Sequence, residues 1–348
     1  MSDMQRIVLA ARPVGQPKLS DFRAETVSMP APGAGEMLVR TIFLSLDPYM
    51  RGRMDDAKSY AAPVALGDTM EGACVSEVMV SNIQGFAPGD LVVGRLGWAS
   101  HGISDGTDCR KLDPAIAPVS TALGVLGMPG HTAWVGLNDI AGAQSGETIV
   151  VSAATGAVGS VVGQLAKARG LRVIGVAGGP EKCRYATETL GFDVCLDHRA
   201  HGDARSLGAA IKAAAPDGVD IYYENVGGKT LEAVLYNMNT WGRIAVCGMI
   251  AWYSGQGIDA AMPAPAVWRN ILTRRLRVQG FIIFDHNDRL KPFLAEVAPM
   301  VRDGRIIFRE SIAEGLEAAP AAFLGLLDGQ NFGKQLVRVG ADPAGAPA

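Results

Sequence analysis

Chemistry is concentrated first in the turn Ala153-Ala154-Thr155-Gly156-Ala157-Val158-Gly159, which carries the spacing Ala-x-Gly-x-x-Gly. An apolar β-branched run, Ile149 to Val151, precedes it. Val158, Val161, Val162 and Leu165 follow at the three- and four-residue spacing of one helix face, and Gly170 supplies a stop. The stretch therefore reads as strand, tight turn, helix. In such a turn Gly156 lets backbone approach a pyrophosphate and Gly159 lets the helix pack closely on the strand. The free N–H groups from Ala157 and Val158 into the helix would face the anion. A bare βα turn also needs glycine for steric reasons, so context must decide. A second strand (Arg172 to Ala177), a helix (Glu181 to Leu190) ended by Gly191, and a third strand (Val194 to Leu196) complete a βαβαβ unit, which favours a bound dinucleotide.

The choice of dinucleotide is written at the end of the second strand. NAD sites place an acid there to hold the ribose hydroxyls, whereas this chain offers Ala177-Gly178-Gly179. Lys182, one turn into the next helix, can supply charge to a 2′-phosphate, with His198 at the third strand end as a second contact. NADP(H) is favoured over NAD(H). The alternative is a solvated Lys182 and a His198 that only hydrogen-bonds the strand end. Cys74, Cys109, Cys183, Cys195 and Cys247 are odd in number and contain no C-x-x-C pair, which argues against a disulfide framework and a structural zinc lobe. The five histidines form no spaced set with them and read as surface or packing residues.

The elements that must position these residues divide the chain. Up to about residue 125, candidate strands at Ile7 to Leu9, Phe22 to Val27, Met37 to Leu44, Thr69 to Val78 and Leu91 to Val93 alternate with Gly/Pro turns, as in an all-β, barrel-like module. Leu123 to Leu137 reads as helical on both sides of Met128-Pro129-Gly130. Further strands at Val219 to Tyr223, Arg243 to Cys247 and Val278 to Phe284 bring the doubly wound parallel sheet to six. Then come a helix from Pro292 to Arg302, a strand from Arg305 to Glu310, a helix from Leu316 to Leu327 and a strand from Gln335 to Val339. These are read as a return to the first module. The expected plan is a β module (1–125), a nucleotide-binding insertion (126–310) and the return (311–348), with a disordered tail from Asp342.

Composition is that of an ordinary globular chain: 348 residues, 48% hydrophobic, 19% charged, net charge −3. Without a dense Lys/Arg run there is no footprint for nucleic acid or an anionic membrane, and no apolar run reaches spanning length. A cytoplasmic location is expected. The segment Val278 to Phe284 is apolar and lacks edge-protecting charge, which predicts a homodimer joined along it.

Four dispersed motifs add a resemblance. Leu46-Asp47-Pro48-Tyr49-Met50-Arg51-Gly52-Arg53-Met54, Gly127-Met128-Pro129-Gly130-x-Thr132-Ala133, Tyr223-Glu224-Asn225-Val226-Gly227-Gly228 and Asn331-Phe332-Gly333-Lys334 resemble the zinc-free prostaglandin reductase and alkenal double-bond reductase branch of the medium-chain dehydrogenase/reductase superfamily. Glu181 to Arg184, Gly191 to His198 and Gln279 to Ile283 are similar to the bacterial NADPH-dependent curcumin reductase subgroup. The likeness covers nearly the whole chain and implies an α/β fold: a GroES-like β-barrel domain into which a six-stranded Rossmann domain is inserted.

Zinc-dependent relatives hold their metal with a Cys after the third strand and a His-Glu pair in the next hairpin. This chain has Leu44-Ser45-Leu46-Asp47 and Met70-Glu71-Gly72 there, so no metal is expected. Hydride addition to an activated carbon–carbon double bond is then the better reading than alcohol oxidation. By resemblance Asn225, Cys247, Gly248, Met249, Ile250, Tyr253, Phe281, Ile282, Ile283 and Asn331 line the nicotinamide half. Tyr253 matches the tyrosine that points at the substrate carbonyl, although packing beside Trp252 would also account for it. Tyr49 and Tyr60 are candidate walls for a flat conjugated substrate. The family commonly has a tyrosine where this chain has His198. The implied activity is NADPH-dependent reduction of enones and enals, with quinone reduction and non-catalytic NADPH binding as alternatives.

Overall fold

β-Branched and aromatic runs separated by Gly and Pro turns begin the chain as strands. The computed structural model describes residues 3–343 and 345. In order come β1 (Asp3–Leu9), β2 (Phe22–Ser28), β3 (Met37–Ser45), a single helical turn α1 (Met50–Arg53), β4 (Ala73–Ser81), β5 (Leu91–Arg95), β6 (His101–Ser104) and β7 (Arg110–Lys111). The nucleotide-type region follows with α2 (Met128–Val135), β8 (Thr148–Ser152), α3 (Gly159–Ala168), β9 (Arg172–Ala177), α4 (Pro180–Arg184), β10 (Val194–Asp197), α5 (Ala204–Ala214), β11 (Val219–Glu224), α6 (Gly228–Leu235), β12 (Met238–Val246), α7 (Ala264–Arg274), β13 (Arg277–Gly280) and α8 (Leu290–Arg302). The chain closes with β14 (Glu310–Glu314), α9 (Ala319–Leu327) and β15 (Lys334–Arg338).

Two units result: Met1–Gly124 with Glu310–Ala348, and Val125–Arg309. In the first, β1 and β2 form a hairpin, and a seven-stranded sheet runs β14-β15-β3-β4-β5-β7 with β6 on β3. Its core packs Leu44, Leu46, Met50 and Trp98 against Phe323 of α9, with Trp98 stacked on Phe22 at 5.4 Å. The returning strand β15 pairs antiparallel with β3, so the last part of the chain completes the sheet begun by the first. In the second unit six parallel strands run β10-β9-β8-β11-β12-β13, the doubly wound order 3-2-1-4-5-6. The fold is α/β, a GroES-like unit with a Rossmann unit between its two chain segments.

Several boundaries depart from expectation. The helix expected from Leu123 starts only at Met128, because residues 124–127 turn back over α2. A Cβ at Gly130 would lie 1.9 Å from the Val125 carbonyl, so only glycine fits there. The helix expected over Glu181 to Leu190 is α4 followed by a wider π-type turn, Tyr185–Thr189. The sixth strand stops at Gly280, paired with Val246 where β12, its neighbour in the sheet, ends. Phe281 to Phe284 lead into 3₁₀ turns (Ile283–Arg289). Arg305 to Ile307 form no strand, since Ile306 is buried on an irregular segment, and β14 begins instead at Glu310. Of the tail, Ala344 and Ala346–Ala348 lie outside the described residues.

Candidate active site

The nucleotide unit gathers its candidate residues at the C-terminal ends of its parallel strands. Between β8 and α3, a Cβ on Gly159 would sit 2.3 Å from the Ala153 carbonyl, so helix and turn pack closer than any other residue allows. Gly156 leaves the turn itself open, with Ala153 carbonyl oxygen as the nearest atom at 3.2 Å from a built Cβ. No side chain among the described residues caps α3; Ser160 and Val161 N–H donate to the Gly156 and Val158 carbonyls at 3.0 and 3.1 Å, so the turn ahead of them, with the helix dipole behind it, is the part that faces an anion. Ala157 and Val158 are half-buried at this mouth.

At the end of β9, Gly178 and Gly179 face a cluster of nitrogen-bearing side chains. A Cβ on Gly178 would meet both Arg199 Nε and His198 Nε2 at 3.0 Å. Lys182 lies on the first turns of α4, and its ammonium is held below its usual range by burial and then by the Arg199 charge. Burial also depresses His198, followed by the Lys229 and Arg199 charges. The nearby acid Asp197 is committed to backbone: its Oδ1 accepts from Gly179 N–H at 2.8 Å and Arg199 N–H at 2.9 Å. Lys182 and His198 are thus brought together, with Arg199 as a third member that the sequence did not single out. This donor set fits a phosphate monoester on the ribose better than a bare diol.

Asn225, Cys247 and Phe281 each follow immediately on the last residue of β11, β12 and β13. The first two loops are laced together. Cys247 and Gly248 N–H donate to the Glu224 carbonyl at 2.9 and 3.1 Å, Ile250 N–H to that of Asn225 at 3.3 Å, and Ala251 N–H to that of Val226 at 3.0 Å. Asn225 Nδ2 donates to the Ser152 carbonyl at 2.8 Å, tying this turn to β8. Gly227, at φ 79°, leaves room for the Trp252 ring, which would lie 2.7 Å from a Cβ there.

Beneath both loops sits a residue that sequence reading passed over. Glu224 is buried at 2% exposure, and its Oε1 accepts from Tyr222 Oη, Ser152 Oγ, Val226 N–H and Gly227 N–H at 2.7 to 3.1 Å. Burial pushes its carboxyl up, against the pull of those donors. Its signal was available: an acid ending a strand directly after the apolar and aromatic run Ile221 to Tyr223. Cys247 is pushed up to about 12 by burial, so it stays a thiol.

Tyr253 closes the 3₁₀ turn Ile250–Trp252. Its Oη accepts a hydrogen bond from Met249 N–H at 3.2 Å, and a Cβ on Gly248 would lie 2.9 Å from it. Accepting at oxygen polarises the phenol O–H as a donor. Phe281 and Ile282 are half-buried, whereas Ile283 is buried at 9% exposure and offers little surface.

In the β unit, Arg53 is buried between two aromatic rings, 5.6 Å from the Tyr49 centroid and 4.3 Å from that of Tyr60. Its Nε donates to Glu71 Oε1 at 2.8 Å. Tyr60 is 53% exposed; Tyr49 is half-buried, and its phenol is pushed well above its usual range by burial and by Asp47 and Glu71. Tyr49 and Tyr60 thus share one support, Arg53. Lys334 Nζ donates to Asp47 Oδ1 at 2.7 Å and to the Leu46 carbonyl at 2.6 Å, and Ser45 Oγ donates to Asp47 Oδ2. Glu71 and Asp47, which occupy the segments aligned with metal ligands, are therefore engaged by fixed cations. Asn331 donates from Nδ2 to the Gly333 carbonyl at 2.7 Å. Among the described residues no group of three or more His, Cys, Asp and Glu side chains could hold a metal ion.

Comparison with known proteins agrees with this architecture. Residues 5–112 match the family model described as the N-terminal domain of oxidoreductase, and residues 157–298 that described as zinc-binding dehydrogenase. The chain is 50% identical over 340 residues to an NADPH-dependent curcumin reductase of Escherichia coli (strain K12), covering 97% of each. It is 43% identical to prostaglandin reductase 1 of Rattus norvegicus, covering 93% of this chain and 95% of that one. The crystal structure of CurA in complex with NADPH from Vibrio vulnificus superposes with a TM-score of 0.91 at 46% identity, over 97% of this chain and 100% of the other. With relatives this similar over almost its full length, the chain belongs to the curcumin reductase and prostaglandin reductase branch of the medium-chain dehydrogenase/reductase family.

Proposed function

We propose that this protein is an NADPH-dependent reductase of carbon–carbon double bonds conjugated to a ketone or aldehyde. The observation that carries the reading is the laced pair of loops after β11 and β12, which holds the Tyr253 phenol on the dinucleotide unit with its oxygen already accepting from Met249 N–H. Bound NADPH supplies the hydride. Tyr253 O–H donates to the substrate carbonyl oxygen, whose negative charge grows as the β-carbon is reduced, and so acts on the barrier rather than on ground-state binding. Glu224 and Asn225 hold the loops that aim it, and Lys182, His198 and Arg199 select the 2′-phosphate. Tyr49 and Tyr60, backed by Arg53, offer flat apolar faces for a conjugated substrate. The names of the relatives, a curcumin reductase and a prostaglandin reductase, fit this substrate class.

The test is NADPH consumption with a panel of simple enones, enals and quinones, with product identification. A saturated ketone or aldehyde supports the reading, an allylic alcohol or quinol as main product replaces it, and cofactor binding without turnover makes the protein a non-catalytic NADPH binder. Exhaustive chelation is expected to leave turnover intact, because Asp47 and Glu71 are committed to Lys334 and Arg53. Loss of activity together with one equivalent of zinc would refute metal independence. The working form is taken to be a cytoplasmic homodimer joined through the β13 edge. Support comes from the exposure of that strand along its whole length, and from the absence, among the described residues, of a helix long and apolar enough to cross a membrane.

A further inference from the structure

Two thiols meet beside the cationic cluster. Cys183 on α4 and Cys195 on β10 place their Sγ atoms 3.2 Å apart, and both side chains are half-buried rather than sealed. On the adjacent strand, Gly175 clears the space: a Cβ there would come within 3.2 Å of Cys195 Sγ. The remaining cysteines are differently placed. Cys74 is buried with its thiol on the Gly97 carbonyl, and Cys247 is held against the buried Tyr223. Cys183 alone has its thiol shifted downward, first by the hydrogen bond donated from Cys195, whose own thiol is shifted upward. One sulfur is thus prepared to attack and the other to resolve.

The pair also sits where a covalent change would be felt. Cys183 adjoins Lys182, and Cys195 lies on the strand whose end leads into His198 and Arg199. We propose that Cys183 and Cys195 form a reversible intramolecular disulfide on reaction with a hydroperoxide, and that this bond weakens NADPH binding. The second half rests on the reading of Lys182, His198 and Arg199 as the 2′-phosphate subsite. In the first step Cys183 thiolate attacks the terminal hydroperoxide oxygen. The O–O bond breaks, the departing alkoxide takes a proton to leave as alcohol (water, when the oxidant is hydrogen peroxide), and Cys183 becomes a sulfenic acid. Cys195 sulfur then attacks the sulfenic sulfur, the S–O bond breaks, and hydroxide leaves with the Cys195 proton as water. The two thiols are oxidised by two electrons and the peroxide is reduced by two. An S–S bond of about 2.05 Å is roughly 1 Å shorter than the present contact, so the two side chains must rotate or α4 must move against β10, a movement that carries Lys182 with it. Paired cysteines in proteins of reducing compartments are more often switches than staples.

The full-length reduced protein is exposed to a small excess of hydrogen peroxide, alkylated, digested and analysed by mass spectrometry. NADPH and NADH affinities are measured by fluorescence titration before oxidation, after it, and after dithiothreitol. The expected result is a Cys183–Cys195 cross-linked peptide, an NADPH Kd raised on the order of tenfold with NADH nearly unchanged, and recovery on reduction. Cys195→Ser should yield no cross-link and leave a Cys183 sulfenic acid that dimedone traps. Separate alkylation of both thiols after peroxide would overturn the proposal outright. A disulfide that leaves both affinities unchanged would overturn its regulatory half. A disulfide that weakens both cofactors equally would uphold the switch and instead sink the 2′-phosphate reading.

Discussion

At the scale of single residues, the site separates groups that touch a ligand from groups that aim them. For Tyr253→Phe the hydroxyl that meets developing charge is removed while the ring still packs, so kcat should fall and NADPH affinity should hold. The loss expected is on the order of 1.5–4 kcal/mol, roughly tenfold to a thousandfold in rate. Single-turnover hydride transfer followed at the NADPH absorbance is the measurement, because product release can mask the step; transfer at the parent rate would make Tyr253 a packing residue. Lys182→Ala should weaken NADPH by about 1.5–3 kcal/mol and leave NADH unchanged, and Arg199→Ala, from the same cluster, should act in the same direction. Equal loss for both cofactors in a titration would contradict the assignment. The expectation for the glycines, Lys182 and His198 rests on local signals, the spacing of one turn and the ends of the second and third strands. Arg53 left no local signal, since it acquires its place only when distant segments fold together, on Tyr60 and Glu71; Glu224 is marked by its position at a strand end, but its bond to Ser152 on another strand is not.

At the scale of elements, legibility tracked how much of the defining interaction is local. The six parallel strands were visible as apolar runs, but the sixth was read four residues too far, because hydrophobicity reports burial while strand length depends on where the neighbour stops. β14 was missed for the converse reason. Its Glu-Ser-Ile-Ala-Glu has little apolar signature and is a strand because it pairs with β15. Helix α2 offers a test of burial. His131 is 4% exposed, stacked on Phe293 at 5.4 Å, and its Nε2 has no hydrogen-bond partner among the described residues. Burial pushes it down to about 4, below the ordinary value of 6.5. Between these values the unfolded chain binds a proton that the folded chain does not, so stability should decline as pH falls from 6.5 towards 4, and should be fully present above 6.5. The contribution should be on the order of 2 kcal/mol. Urea midpoints of the parent and of His131→Asn at pH 7 and pH 4.5 would show it as a smaller acid loss in the variant; identical acid losses would reject the role.

At the scale of the whole molecule, the sheet of the nucleotide unit ends in an edge that invites pairing. β13 is exposed throughout, with Val278 42% exposed, and helix α7 before it leaves Trp268 and Leu272 68% and 76% exposed. The protein should be a dimer by light scattering at micromolar concentration, and Val278→Lys should shift it towards monomer by placing charge on the edge. A monodisperse parent monomer would refute this. A different consequence follows from the buried pair of Asp47 and Lys334, whose side chains are 7% and 4% exposed. During synthesis the stretch Val125–Arg309 is contiguous and can close its own core as soon as it has emerged. The β unit cannot, because one half of its buried ion pair and the strand that covers β3 are translated only after the whole of that stretch. Until Lys334 arrives, Asp47 is an acid without its cation beside an unfinished sheet edge. The part of the β unit translated before the nucleotide unit should therefore become native only after it.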